Sequence, residues 1–127
     1  MQEQRRSLQN VGRTIQIENF MKVKWSDFAL NEFVQTADYI DEHFGESTRI
    51  KFVNEVRYVD SLLSTQPYIG RKEPILEKAT LTYRSVKVSD INRIVYYIGE
   101  EIVEIVDFWD MRRNPELLAE RVINNTK

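Results

Sequence analysis

The chain has 127 residues, 42% of them hydrophobic and 11% aromatic, with 18 Lys and Arg against 20 Asp and Glu for a formal charge of -2. That is enough chain for one domain with a buried core, and its near-neutral charge excludes a global pull toward nucleic acid or anionic lipid, so any basic site has to be local. With no cysteine and a lone histidine, His43, the sequence excludes a disulfide framework, a thiolate zinc site and a histidine metal cluster.

No apolar run approaches the roughly 18 residues of a membrane span, and the first 20 residues lack the apolar stretch of a signal peptide. A soluble, cytoplasmic protein without membrane contact is expected, and the absence of cysteine fits a reducing compartment.

Residues 1–20 are polar, with apolar residues scattered at Leu8, Val11, Ile15 and Ile17, and read as an N-terminal extension ahead of a domain over 21–127: a flexible tail, a short helix or strand docked on the domain, or sequence upstream of the true initiator. Lys22-Val23-Lys24-Trp25 alternates as a short strand does, and Ser26 offers a hydroxyl to cap a following helix. Leu30, Phe33, Val34, Ala37, Ile40 and Phe44 recur at three- and four-residue steps, which predicts one apolar stripe along that helix. Gly45 ends it. Ser47 or Thr48 is then placed to cap a second helix with the stripe Ile50, Val53, Val56, Val59 and Leu63, giving a helical hairpin. Pro67 and Gly70 mark the loop that leaves it.

The second half changes period from 3.6 to 2. Leu81 and Tyr83 alternate, Val86 and Val88 alternate in the opposite phase, and this predicts a bulge near Arg84. Ile94–Ile98 is apolar almost throughout, as a central strand covered on both faces should be. Gly99-Glu100 reads as a two-residue hairpin turn, and Ile102–Trp109 as the returning strand. Asn114 and Pro115 open a last helix with Leu117, Leu118 and Val122 as a partial stripe. The predicted class is α+β: a short N-terminal strand, a helical hairpin, an antiparallel sheet of three to four strands and a C-terminal helix.

Several stretches carry a family resemblance over about residues 21–124. They are Trp25-Ser26 with Ala29, Pro67-Tyr68-Ile69-Gly70-Arg71, Tyr83-Arg84-Ser85, the strand RIVYYI from Arg93 to Ile98, and FWDMRRNPELL from Phe108 to Leu118. In this order and spacing the chain resembles the RelE/ParE superfamily, the toxins of bacterial type II toxin-antitoxin pairs, also called plasmid stabilisation proteins. The resemblance implies the same fold, growth inhibition as the activity, and a cognate antitoxin as partner. RelE-like members cleave messenger RNA on the ribosome, whereas the ParE branch is known for inhibiting DNA gyrase.

The two branches make different chemical demands. Cleavage by a 2′-hydroxyl needs a base and an acid, each contributing roughly 10²–10⁴ in rate, and cations for the phosphate. Arg93 falls where RelE-like members carry the arginine of an R-x-x-Y strand motif, and Arg112 or Arg113 where they carry another. If the chain is a ribonuclease, Arg84, Arg93 and Arg112 are its catalytic candidates, yet arginine supplies no base. The Tyr or His that RelE-like members carry near the C-terminus is missing: Leu117, Leu118 and Ala119 stand there, and Asp110 stands where many ParE-branch sequences have histidine. The expectation is therefore ParE-like, inhibition by binding gyrase without catalysis. A ribosome-dependent endoribonuclease and a target-less interaction module of the same fold are the alternatives. No cofactor and no metal are expected, and a homodimer is left open.

The expected target-binding patch is Arg84, Arg93, Arg112 and Arg113 at one edge of the sheet, with Asp110 as a partner of Arg113. The plainer reading makes these arginines solvated, or paired with Asp107, Asp110, Glu101 and Glu104. Glu104 and Asp107, three apart on a strand, should point to opposite faces, which argues against a cation site. Trp25 and Trp109 belong to the core or its edge, Tyr96 and Tyr97 point opposite ways, and His43 suits a helix C-terminus. Phe28, Phe52, Tyr58 and Tyr68 fall off the main stripes or in the loop and are the candidates for antitoxin binding.

Overall fold

Alternation at Lys22–Trp25 does produce a strand, β1, in the computed structural model, which describes residues 20–126. Apart from Phe20, the expected N-terminal extension lies outside the described residues. Ser26 then caps helix α1 (Asp27–Phe44), its Oγ accepting the Ala29 amide at 3.0 Å. Helix α2 (Glu46–Thr65) follows after one residue. Such a tight reversal requires the positive φ of 95° that Gly45 adopts, so Gly45, and neither Ser47 nor Thr48, occupies the cap of α2. The connection that follows carries two short 3-10 turns, Pro67–Ile69 and Pro74–Leu76, around the two-residue strand β2 (Arg71–Lys72).

Three longer strands and a helix complete the order: β3 (Tyr83–Lys87), β4 (Asn92–Ile98), β5 (Ile102–Asp110) and α3 (Pro115–Thr126). The sheet runs β1-β5-β4-β3-β2, with β1 parallel to β5 and the other pairs antiparallel. The α+β fold is as expected, with the N-terminal strand joined to the sheet to make it five-stranded and mixed.

Both faces of the sheet are covered, which explains the uninterrupted apolar run in β4. Ile94, Tyr96, Val103, Ile105 and Phe108 pack under the helical hairpin against Phe52, Val56 and Leu63. Val95, Val106, Trp109 and Tyr83 pack on the opposite face against Leu118, Val122 and Leu76. Each large apolar side chain so buried contributes about 1.5–3 kcal/mol. Of the predicted α1 stripe, Phe33, Ala37 and Ile40 face this core while Leu30, Val34 and Phe44 are exposed; Ala29 takes their place next to the sheet. The stripe is narrower because alanines let the helix approach closely. On α2, Ile50 is likewise exposed and Phe52 is buried.

Three expectations about the strands are corrected. No bulge occurs at Arg84, where Tyr83–Lys87 runs in register with β4; the phase change arises because Tyr83 enters one core and Val86 and Val88 the other. The irregularity lies between Val95 and Tyr96, opposite Asp107 and Ile105, leaving Val106 as the extra residue of β5. It returns Glu104 and Asp107 to the same face, beside Tyr97 and Val95, against the expectation of opposite faces. The hairpin turn is also displaced by one residue: Gly99 donates to the Ile102 carbonyl at 2.8 Å, so Glu100 and Glu101 form the tip and Glu101 takes a φ of 59°.

Candidate functional site

The sheet register decides where each arginine points. Lys87 and Arg93 are directly opposite, as are Arg93 and Trp109, which places Arg93 on the α3 side. Arg84 lies opposite Tyr96, whose ring is in the hairpin-side core, so Arg84 faces the other way. Arg84 donates to the Gly70 carbonyl at 2.8 Å and lies 4.9 Å over the Tyr68 ring. A single patch is thereby divided: Arg84 is three residues from Lys87, and an odd step on a strand changes face.

Arg93 is 18% exposed and donates from Nη1 to Glu73 Oε2 at 3.1 Å. The same carboxylate oxygen accepts the Ser85 hydroxyl at 2.7 Å, and Glu73 is buried. Among the described residues, neither a histidine nor a tyrosine hydroxyl bonds to Arg93. Tyr97, four residues further along β4, donates its hydroxyl to Glu104 at 2.7 Å; that hydrogen bond and burial push its pKa up to about 12.

Beyond β5 the chain turns sharply, and Arg112, 68% exposed, grips Asp110 through Nε at 3.0 Å and Nη2 at 2.7 Å. This fork, with burial opposing it and the Arg112 amide assisting, holds the Asp110 carboxyl below the usual carboxylate range. Asp110 is thus the partner of Arg112 and not, as predicted, of Arg113. The Arg113 guanidinium instead lies 5.2 Å over the Trp109 ring. Tyr39 on α1 lies close to Arg112. His43 sits one turn further along α1, its ring stacked on Tyr39 at 4.0 Å and its Nδ1 2.9 Å from the Tyr39 carbonyl.

Arg121, on α3, did not stand out in the sequence. Its Nη2 meets Asp107 Oδ1 at 2.7 Å and Glu32 Oε1 at 3.1 Å, and its guanidinium lies 4.8 Å from the Phe28 ring and 4.9 Å from Trp109. One cation therefore ties α1, β5 and α3 together. The signal was present: Arg121 lies three residues from Leu118, on the same helix face. Asp107 has no solvent exposure, and desolvation raises its pKa to about 6 although Arg121 opposes the shift.

The predicted antitoxin residues separate in the same way. Phe52 is 6% exposed and packs on Phe33 and Phe108, so it is core and unavailable to a partner. Its position two residues after Ile50 disguised it as off-stripe. Phe28 is half-buried under Arg121, while Tyr58 and Tyr68 are exposed. Tyr58 lines an open groove of about 690 Å³ along α2, together with Ile50, Val59, Val88, Lys51 and Lys87.

This order of elements, with its arginine-bearing strands, is matched at family level: residues 23–115 fit the family described as ParE toxin of type II toxin-antitoxin system, parDE. The chain belongs to the ParE toxin family. Solved structures share the fold at low identity. A chain titled as the chromosomal ParDE TA system from P. aeruginosa is 14% identical with a TM-score of 0.59, covering 72% of this chain and 97% of that one. A YoeB/ParE toxin from Agrobacterium tumefaciens is 16% identical with a TM-score of 0.50, covering 71% and 98%. Comparison with curated proteins finds no significant match. Within the ParE-family match lie Arg84, Arg93, Asp110, Arg112 and Arg113; Arg121 and nearly all of α3 lie beyond it. No helix among the described residues is long and apolar enough to cross a membrane.

Proposed function

We propose that this ParE-family protein is a cytoplasmic toxin that arrests growth by stoichiometric binding to DNA gyrase and is neutralised by a cognate antitoxin. The observation that carries the reading is the state of Arg93: its guanidinium is already held by an internal carboxylate, and among the described residues no phenol or imidazole hydrogen-bonds to it. Cleaving RNA there would need both a free cation and a proton shuttle. Binding to a protein needs neither. Arg112 and Arg113, at the exposed end of β5 beside Tyr39 and Trp109, have the arginine and aromatic composition that dominates protein interfaces and form the proposed target-facing surface. Arg84, on the other face, is assigned to holding the Tyr68 loop.

The antitoxin reading rests on the groove along α2. Its apolar wall of Ile50, Tyr58, Val59 and Val88 suits an amphipathic helix, with Lys51 for an acidic residue at its rim. The test is induction of the protein in cells, with plasmid supercoiling and messenger integrity followed together, alongside a purified-gyrase assay. Loss of gyrase activity that Arg112→Ala weakens is expected. Unaltered gyrase with rapid, site-specific messenger cleavage abolished by Arg93→Ala would replace this reading with a ribosome-dependent endoribonuclease.

A further inference from the structure

We propose that Phe28, Glu32, Asp107 and Trp109 form a binding site for the guanidinium of an arginine on a partner peptide, a site that α3 fills in cis with its own Arg121. The site is an acidic and aromatic cage, separate from the exposed arginines assigned to the target.

Strand β1 ends opposite Ile105 and β5 runs on past it, so α1 and α3 come together around that stretch. Asp107 and Trp109, two apart on β5, face the α3 side of the sheet. Phe28 and Glu32, four apart, share one face of α1. Together they supply what a guanidinium uses: two carboxylates for its N–H groups and two aromatic rings for its planar faces. An ammonium offers no planar face to such rings. The resident guanidinium lies 4.8 Å from the Phe28 ring and 4.9 Å from Trp109, with 16% of the Arg121 side chain exposed.

Arg121 does not use up the site. It meets both carboxylates through Nη2, at 2.7 Å from Asp107 Oδ1 and 3.1 Å from Glu32 Oε1. Among the described residues its Nε has no hydrogen-bond partner, and neither has Asp107 Oδ2, although Asp107 is wholly buried. A buried carboxylate with one oxygen unpaired can still accept the two-pronged bond that this arginine does not make. A guanidinium approaching along another line gains that bond.

The cage and its occupant belong to different parts of the chain. All four cage residues lie within the ParE-family match, whereas Arg121 lies beyond it on a twelve-residue helix. Among the described side chains of that helix, Leu118 and Val122 are the buried ones, and a helix of this length is marginal without its packing. A partner segment that replaces α3 therefore meets a cage already built.

The experiment uses the full chain carrying Arg121→Ala or Arg121→Met. Urea unfolding is followed with methylguanidinium, with N-acetylarginine amide and, as control, with methylammonium, all at millimolar concentration and equal ionic strength. Both guanidinium probes are expected to raise the folded-to-unfolded ratio of the emptied variants about tenfold, with little change in the parent chain. Adding Asp107→Asn should abolish that gain. No gain from either guanidinium probe overturns the proposal. So does an equal gain from methylammonium, which reports general screening, or a gain that survives Asp107→Asn. A response to methylguanidinium without one to N-acetylarginine amide also overturns it, because a cage closed to a backbone-borne arginine cannot receive a peptide. If neither variant folds even with the probes present, the cage takes no guanidinium in trans and the proposal is likewise overturned. None of these readouts involves growth arrest or gyrase, which the induction experiment follows separately.

Discussion

Two elements are tied to the same face of the sheet by a guanidinium and a carboxylate, with the charges exchanged. For α3, the sheet contributes the carboxylate, Asp107, and the helix brings Arg121. For the 70–76 segment, the sheet contributes Arg93 and the segment brings Glu73. The exchange determines what remains if either element departs: a carboxylate with no exposure in one place, and a cation at the rim in the other. The first arrangement is a fastener buried under a helix and the second a fastener at the rim of the sheet. The difference predicts unequal costs. Arg121→Ala leaves Asp107 and Glu32 without their cation and should destabilise the fold by about 3–5 kcal/mol in urea unfolding. Glu73→Gln keeps an acceptor for Ser85 and leaves Arg93 near water, so its loss should be about 1–2 kcal/mol. Equal losses would break the contrast.

Acid sharpens it next. Burial raises the Asp107 pKa from an ordinary 3.8 to about 6, so the folded state holds a proton that the unfolded chain has released. Stability from this group is fully present below about pH 4 and is lost as pH rises through about 6, a fall of about 3 kcal/mol. Asp110 acts in the opposite direction: Arg112 depresses its pKa, and its contribution is present at neutral pH and lost as pH falls. Urea midpoints between pH 4.5 and 7 should therefore fall with rising pH, and Asp107→Asn should flatten that slope.

Gly70 tests the other tie. A Cβ there would lie 2.6 Å from the Tyr96 hydroxyl and 2.7 Å from the Ser85 carbonyl oxygen. Tyr96 donates that hydroxyl to Pro67 at 2.6 Å and accepts the Gly70 amide at 2.9 Å, so it has little room to yield. Gly70→Ala should cost about 2 kcal/mol. It should also displace the segment carrying Glu73.

Period and punctuation made the fold legible: the 3.6-residue stripes, the capping Ser26, Gly45 and the alternating strands are local signals. The candidate site was legible only by type. Arg93, Arg112 and Arg113 could be singled out, but their directions depend on cross-strand register and on one extra residue at Val106, neither of which has a local signature. Glu73 lies in an irregular segment, 20 residues from Arg93, and Arg121 reaches across 89 residues to Glu32. Pairings over such distances are made by topology, so composition and spacing could not show that the sheet arginines are already occupied.

The smallest effect belongs to the hairpin tip, which shares no partner with either tie. Glu101 holds a φ of 59° with a full side chain, while its carbonyl accepts the Lys22 amide at 3.2 Å. Glycine adopts that conformation without the steric penalty, although it loses more backbone entropy on folding. Glu101→Gly should therefore raise stability by about 0.5–1 kcal/mol, seen as a higher thermal midpoint. Because the tip is independent of the ion pairs, its gain should add to the losses of Arg121→Ala and Glu73→Gln without interaction. A gain that vanishes in the Arg121→Ala background would mean that α3 docking controls the whole sheet, and the contrast between the buried tie and the rim tie would then be one of degree.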